Sequence, residues 1–372
     1  MAIERRRIGK GLLAAGAALC APALARGQAA APETPAVLRR GLNITNWFRF
    51  PASLDPAALR AHVPDATLDG IRAAGFTFIR LCIQPQILLR AGGGLDGDRL
   101  AVVLDAVARI RRAGLAVIVD AHPESWRPEE READRQGLFD FWRGMAPHLA
   151  RHDPAAVFVE IMNEPVFDDH AKWHALQAEV LREIRGVLPG HLVIAQGADW
   201  GSIDGLLRLP PLGDPRVLYS VHDYTPGVFA HLASWEQGHD RDALARLPFP
   251  VADRAACRAV AARTGHARTR DLGAWYCQEG WDAARVRGNL ARAAAWGRRA
   301  GAPVLLLEFG AHAALNAPAR AAYIEAVRRG AEAEGMGWAL WGLGDIMGFP
   351  SRPGPQSAPA DPGLLRALGL AA

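Results

Sequence analysis

The amino-acid sequence predicts a single (β/α)8 barrel, because short apolar runs alternate with longer amphipathic segments in one unbroken series. The apolar runs are nearly continuous over four to six residues, which is typical of parallel strands buried on both faces. No linker-like stretch divides the series, so we expect one domain over residues 26–372. A doubly wound open sheet is the alternative, but no G-x-G-x-x-G turn opens a helix after the first strand.

The predicted elements alternate regularly along the chain. The strands cover residues 41–45, 76–81, 115–119, 157–161, 192–195, 217–221, 304–308 and 338–341. Each predicted helix is followed by a glycine, a common stop signal, and the helices cover residues 100–112, 169–188, 282–299 and 318–334. The connection after strand six is much longer than the others, so we predict an insertion over 225–281, between strand six and helix six. Residues 348–363 are rich in Pro, Gly and Ser and are predicted to form a long loop after strand eight.

The composition excludes several classes of protein. Half of the residues are hydrophobic, which provides enough apolar surface to fold and excludes a largely disordered chain. No apolar run reaches the length of about 18 residues that a membrane-spanning helix needs. The 43 basic residues are interleaved with 39 acidic ones, so the formal net charge of +4 does not predict a nucleic-acid partner.

The first 25 residues are predicted to be an export signal rather than part of the fold. A run of arginines at positions 5–7 precedes an apolar stretch over 11–24, which ends in an A-x-A cleavage site at Ala25. Adjacent arginines of this kind resemble a twin-arginine leader, so we expect a periplasmic or extracellular protein. A buried N-terminal helix is the alternative.

The cysteines are interpreted in the same setting. In an oxidising compartment Cys257 and Cys277 could pair, and the closed loop would be worth about 3 kcal/mol. Two free thiols are the alternative. Cys82 falls within a predicted strand and is expected to be a plain buried thiol.

Two glutamates stand out because each ends a very apolar run. Glu164 follows the fourth predicted strand and Glu308 ends the seventh. The carboxyl ends of barrel strands meet at one mouth, so these side chains are expected to lie together. A buried ion pair with an arginine is the alternative for either one. As a pair they predict acid/base and nucleophilic chemistry, with one carboxyl protonated and the other ionised.

Other polar and aromatic residues at the strand ends suit a sugar substrate. Asn163 can donate to a sugar 2-hydroxyl, and Arg80 can lower the pKa of the nucleophile by its positive charge. Tyr224 can donate to the nucleophile, and a pyranose can stack on Trp341. Two histidines, His122 and His222, can hydrogen-bond substrate hydroxyls or adjust the pKa of the acid.

The ordered set of these residues resembles glycoside hydrolase family 5. The matching positions are Leu42-Asn43, Arg80, His122, Asn163-Glu164-Pro165, His222-x-Tyr224, Glu308 and Trp341. The resemblance implies a barrel that hydrolyses β-linked oligo- or polysaccharides with retention of configuration and without metal or cofactor. It implies Glu164 as general acid/base and Glu308 as nucleophile. We expect a monomer.

The sequence leaves the glycan open. β-1,4-Glucan, cleaved within the chain, is the first choice, and mannan, xyloglucan and exo-cleaved β-1,3-glucan are the alternatives. Trp47 and Trp200 follow strands one and five and are expected to stack on sugars. Weaker candidates are Phe48, Arg49 and Asp199.

Two other functions compete with this interpretation. A metal-dependent hydrolase would use Asp120, His122 and Glu124, joined by His222 and Asp223, but it does not explain the Asn-Glu-Pro triplet. A secreted glycan-binding barrel would have lost catalysis, which the intact glutamate pair argues against. The chain contains no G-x-S-x-G sequence, the motif that carries the nucleophile of serine esterases, which argues against that chemistry.

Overall fold

A computed structural model of the chain describes residues 33–350 and 354–371. The predicted export signal over residues 1–25 lies outside these residues. Eight parallel strands form a closed barrel in chain order, and β8 pairs with β1. They are β1 Arg40–Phe48, β2 Phe78–Ile83, β3 Ala116–Ala121, β4 Val157–Glu160, β5 Val193–Gln196, β6 Val217–His222, β7 Val304–Phe309 and β8 Trp338–Leu343. The predicted fold class is confirmed.

Helices surround the barrel and bury one face each against it. The barrel helices are α1 Pro56–His62, α2 Asp65–Ala74, α3 Gly97–Arg112, α4 Glu132–Leu149, α5 His170–Val187 and α6 Ile203–Leu207. Four further helices lie in the insertion: α7 Gly227–Ala230, α8 Arg241–Leu244, α9 Arg254–Ala261 and α10 Ala267–Glu279. The chain ends with α11 Ala283–Ala300, α12 Ala317–Ala333 and α13 Pro362–Ala367. The four predicted helices correspond to α3, α5, α11 and α12.

Helix α4 was not predicted, although its buried apolar residues recur at helical spacing, and it contains two glycines and a proline, which disfavour a helix interior. Pro147 lies within its last turn. A Cβ at Gly137 would lie 2.9 Å from the ring of Trp126, and one at Gly144 would lie 2.5 Å from Leu95. These glycines therefore allow neighbouring side chains to pack directly on the helix backbone.

The predicted insertion between β6 and α11 is a helical subregion attached to the barrel. Cys257 of α9 and Cys277 of α10 form a disulfide with a Cα–Cα distance of 5.6 Å. Tyr323 of α12 donates a hydrogen bond to the Thr225 carbonyl at 3.1 Å, and Asn316 donates to the Leu247 carbonyl at 2.9 Å. The insertion is thus cross-linked internally and bonded to the segment that follows β7.

The interior of the barrel is divided into an apolar lower layer and a polar upper layer. Alternate strand residues point inward, so the division follows from which residue types occupy those positions. The lower layer includes Phe78, Ile118, Phe158, Ile194, Leu218 and Leu305. The upper layer, here called the polar floor, consists of Asn43, Arg80, Asp120, Glu160, Gln196 and Ser220. The larger apolar core lies between the strands and the helices.

The segment after β8 first pairs with the end of that strand, since Leu343 forms a β-bridge with Phe349. Of the predicted loop over 348–363, the described residues 354–361 precede α13. Within the described ranges, every helix is too short or too polar to span a membrane.

Candidate active site

Glu164 and Glu308 meet at the mouth of the barrel, as predicted. Glu308 lies in β7 and Glu164 lies just beyond the end of β4. One oxygen of each carboxyl and one ring nitrogen of His222 all lie within 4.8 Å of one another. The two carboxyls differ in exposure, because the Glu164 side chain is 32% exposed and that of Glu308 only 5%. The Glu164 side chain therefore faces the open cleft, and the Glu308 side chain lies at the bottom of the cleft.

The backbone at Glu164 is held in a conformation that non-glycine residues rarely adopt. Its φ angle is +44°, in the left-handed region, which costs on the order of 1–3 kcal/mol. The Glu164 N–H donates to Oε1 of Gln196 at 2.8 Å. This hydrogen bond from the neighbouring strand β5 helps to hold the peptide that presents the Glu164 side chain.

Arg80 of β2 connects the polar floor to the glutamate pair. Its Nη1 donates to Oε1 of Glu308 at 2.7 Å, and its Nη2 donates to Oδ1 of Asn163 at 2.8 Å. Asn43 accepts from Nη1 at 3.0 Å and donates to two backbone carbonyls of β7 and β8. Asn43 is completely buried, so it supports Arg80 rather than touching a ligand. Because Oδ1 of Asn163 accepts from Arg80, its NH2 group is left as a donor.

Arg80 also neutralises carboxylates below the site. Its Nε donates to Glu160 at 2.6 Å, and its Nη2 lies 3.0 Å from Asp120. The carboxyl groups of Asp120, Glu160 and Glu308 thus contact one guanidinium, and the Glu164 carboxyl lies close to that of Glu308. Ionising all of these carboxyl groups in a buried site would cost too much free energy. The arrangement therefore favours a state in which one of them retains a proton.

Contacts indicate which carboxyl retains the proton. Burial is the largest effect on both and raises the pKa of Glu164 and of Glu308 to about 7. Glu308 is in direct contact with Arg80 and accepts from the Tyr224 hydroxyl at 3.1 Å, which favours its ionised form. Among the described residues, no hydrogen bond or ion pair joins Glu164 to Arg80 or Tyr224. The contacts therefore favour ionisation of Glu308 over that of Glu164.

Gln196 fixes which ring nitrogen of His222 carries the proton. Burial lowers the pKa of His222 to about 4, so the ring is neutral at pH 7. Since Oε1 of Gln196 accepts from the Glu164 backbone, its Nε2 is the donor to Nε2 of His222, at 2.8 Å. The His222 proton is then on Nδ1 and donates to Oε1 of Glu164 at 2.9 Å.

His122 and Trp341 form the opposite wall of the site. Nδ1 of His122 lies 2.7 Å from Oδ2 of Asp120, and burial lowers the His122 pKa well below its usual range. The neutral ring thus donates from Nδ1, and its Nε2 lies 3.8 Å from Oε1 of Glu124. The Trp341 ring stacks on His122 with centroids 5.5 Å apart. Trp341 is only 7% exposed.

The structure separates the two tryptophans that were expected to stack on sugars. The Trp200 side chain is 55% exposed, and the backbone N–H of Trp200 donates to the carbonyl of Pro165, the residue after Glu164. Trp47 is 1% exposed, donates to the Leu59 carbonyl at 2.8 Å and stacks on Phe48. The prediction for Trp47 is therefore wrong, because its ring packs in the layer between strands and helices.

The weaker candidates also differ in position. Phe48 is fully buried beside Trp47 and cannot contact a ligand. Asp199 accepts from the Ser202 hydroxyl at 3.1 Å in the loop that carries Trp200. Arg49 lies at the mouth, with its Cζ 4.8 Å from the Trp341 ring centroid.

The sequence analysis did not identify Gln196 or Glu160 as site residues. Both lie at the carboxyl ends of their strands, which was the available signal. The predicted fifth strand ended one residue before Gln196, and Glu160 was treated as part of an apolar run.

Two groups among the described residues have ligand atoms close enough for a metal ion: Glu164, His222 and Glu308, and Cys82, Asp120 and His122. In each group Arg80 is in contact with a carboxylate, so a bound cation would lie next to a guanidinium charge. Asp223, a ligand in the metal hypothesis, instead accepts from the Thr225 N–H at 2.9 Å. The donor sets therefore suit a carboxylate–arginine network better than a metal centre.

Comparisons with known proteins agree with this architecture. Endoglucanase 3 of Fibrobacter succinogenes is 24% identical over 332 residues, which cover 82% of this chain and 49% of that protein. Endoglucanase C of Acetivibrio thermocellus is 23% identical over 211 residues, covering 54% of this chain and 61% of that protein. The chain thus spans about half to three-fifths of the length of these curated relatives. The fold is shared with Thermotoga maritima Cel5A in complex with cellobiose, at a TM-score of 0.71, 22% identity and coverage of 90% of this chain and 98% of that one.

The family model for cellulase, glycosyl hydrolase family 5, matches residues 41–345, which include all eight barrel strands except Arg40 and every residue of the glutamate site. That range covers most of the chain and agrees with the family resemblance stated above. The chain therefore belongs to the cellulase family, glycosyl hydrolase family 5.

Proposed function

We propose that the protein is a retaining endo-type β-glycosidase that cleaves by double displacement, with Glu164 as acid/base and Glu308 as nucleophile. The observation that carries the proposal is the closeness of the two carboxyls, whose nearest oxygens lie within 4.8 Å. Retaining glycosidases have carboxyl groups about 5–5.5 Å apart, whereas inverting enzymes need about 6.5–9.5 Å for a water molecule. The separation therefore favours direct attack by a carboxylate.

In the first step Glu308 forms a bond to the anomeric carbon while the glycosidic C–O bond breaks. Arg80 and Tyr224 hold the attacking carboxylate ionised and oriented. Glu164 transfers its proton to the leaving oxygen, and the Nδ1–H of His222 supports the carboxylate that remains. The Asn163 amide can donate to the sugar 2-hydroxyl, a contact that strengthens in an oxocarbenium-like transition state.

In the second step the ionised Glu164 takes a proton from water, and the oxygen attacks the anomeric carbon to release Glu308. The same residue serves as acid and then as base, which requires a pKa near the working pH. The pKa of about 7 that burial gives Glu164 supports this double role.

For the substrate we propose β-1,4-glucan. Relatives named endoglucanases and a structural neighbour in complex with cellobiose support this choice. The exposed Trp200 lies beside the acid, on the side where the leaving sugar would be, and offers a stacking surface there. β-Mannan and exo-cleaved β-1,3-glucan are the alternatives of the same family.

The test measures release of reducing ends from carboxymethylcellulose, β-mannan and laminarin, and follows the anomer formed by NMR. We expect turnover of carboxymethylcellulose, an initial β-anomer, and about 10²- to 10⁴-fold slower turnover in Glu164→Gln. Glu183→Gln, on the outer helix α5, is the matched control and should behave as the natural protein. An initial α-anomer would contradict retention, and no turnover of any glycan would favour a glycan-binding barrel.

We also propose that residues 1–25 direct export through a twin-arginine pathway. The arginines at positions 5–7 ahead of an apolar stretch support this proposal. Replacing the three arginines by lysine should leave the protein in the cytoplasm, measured by cell fractionation. Unchanged export of that variant would contradict the twin-arginine assignment.

A further inference from the structure

A salt bridge crosses the mouth of the barrel on the Trp341 side. Arg49 directly follows β1 and Glu124 lies just beyond β3, so the pair spans the end of β2. Nε of Arg49 bonds to Oε1 of Glu124, and Nη2 lies 3.3 Å from Oε2. Two-point contact of this kind fixes the relative position of the two side chains more firmly than a single bond. Their side chains are 18% and 26% exposed.

The pair covers the aromatic surface that a sugar would need. Cζ of Arg49 lies 4.8 Å from the Trp341 ring centroid and 4.5 Å from that of Phe50. Trp341 is only 7% exposed, although its place next to the glutamate pair suits a stacking surface. A pyranose stacked on Trp341 from the cleft would occupy space that the Arg49 guanidinium now fills.

The two ends of the cleft therefore differ. Trp200 follows β5, which lies opposite β1 in the closed eight-stranded barrel, and its ring is 55% exposed. Glu164 lies next to the Trp200 loop, so that end accepts the leaving sugar in the proposed reaction. The covered end, at Trp341, accepts the sugar that bonds to Glu308.

We propose that Arg49 and Glu124 form a displaceable latch over Trp341 and that the substrate must open it to seat its non-reducing portion. The proposal rests on the proposed function, which identifies the Trp341 side as the non-reducing side. Arg49 and Glu124 are then specificity-determining residues, because separating them before the sugar stacks lowers the net free energy of binding.

The experiment compares the latch variants Arg49→Ala and Glu124→Gln with the unmodified protein. KM is measured with the active glycan, and the Kd of cellohexaose and mannohexaose is measured with each protein in a Glu164→Gln background, so that the ligand is not hydrolysed. We expect KM and Kd to fall about three- to tenfold in each variant, with a smaller change in kcat. A tenfold fall corresponds to about 1.4 kcal/mol. The charge-exchanged double variant R49E/E124R re-forms the pair and should return both constants towards the original values.

The matched control is Arg143→Ala, because Arg143 also pairs with a glutamate, Glu183, and lies 5.2 Å from an aromatic ring, Phe139, but on the outer helices. It should leave KM and Kd unchanged. Higher or unchanged KM and Kd in Arg49→Ala would overturn the latch, and so would a failure of that variant to bind either oligosaccharide. Because binding is measured without turnover, an inactive protein would refute the proposed function while still testing the latch.

Discussion

Replacing Glu308 by glutamine is expected to stabilise the protein above pH 7, although it removes the proposed nucleophile. Glu308 is 4% exposed, and burial is the main cause that raises the pKa of its carboxyl from 4.5 to about 7. A carboxyl with a higher pKa in the folded chain than in the unfolded chain favours folding at low pH. That contribution is lost as the pH rises from 4.5 to about 7, and glutamine, which does not ionise, is not subject to the loss.

The magnitude follows from the same difference in pKa. Between 4.5 and about 7, at about 1.4 kcal/mol per pH unit, an isolated group would lose roughly 3–4 kcal/mol. Glu308 is not isolated, since the charge of Glu164 raises its pKa and that of Arg80 lowers it. Arg80 keeps Asp120 and Glu160 as partners when Glu308 is neutral. We therefore expect the free energy of unfolding of Glu308→Gln to exceed that of the unmodified protein by about 1–3 kcal/mol at pH 8 and to equal it at pH 4.

Urea denaturation followed by tryptophan fluorescence between pH 4 and pH 8 measures this difference. The control is Glu183→Gln, whose side chain is 42% exposed and which should show no pH-dependent gain. If Glu308→Gln were less stable than the unmodified protein at pH 8, attraction to Arg80 would outweigh the cost of burying the charge. The assignment of Glu308 as a costly buried carboxylate would then be wrong.

Three other substitutions test separate parts of the structure. Gln196→Leu removes the donor that fixes the His222 ring and the acceptor of the Glu164 N–H. We expect kcat to fall about 10- to 100-fold in steady-state kinetics, and the free energy of unfolding to fall by about 1–3 kcal/mol in urea denaturation. Trp200→Ala should raise KM for a polysaccharide about three- to tenfold and leave that for an aryl glycoside nearly unchanged, because only the former places a sugar on the exposed ring. Cys257→Ser with Cys277→Ser should lower the free energy of unfolding by about 3 kcal/mol, measured with urea, while the activity of the folded protein persists. An unchanged kcat, KM or unfolding free energy, respectively, would contradict each argument.

The barrel and its glutamate pair could be predicted because their signals are local. Each buried strand is a short apolar run, and Glu164 and Glu308 follow or end such runs, so parallel strands bring them to the same mouth. The insertion was predictable for a related reason, since the distance between β6 and β7 along the chain is too long for one helix.

The direction in which individual side chains point was less predictable where the strand or loop geometry is irregular. The register between β1 and β2 shifts between Ile44 and Phe48, so simple alternation does not give the direction of Trp47. The position of Arg49 over Trp341 depends on contacts between two loops and has no signal in the spacing of either one. An irregular strand register decides the first case and loop conformation the second.

The polar floor has a consequence for redesign of this barrel. Arg80, Gln196 and His222, which help to set the charges of the two glutamates, belong to strands, whereas Tyr224, Trp200, Arg49 and the insertion belong to the connections above them. Loops tolerate exchange far better than buried strands. Glycan preference can therefore be altered by grafting new connections that retain Tyr224 onto an unchanged set of strands, which preserves the protonation states of the two glutamates.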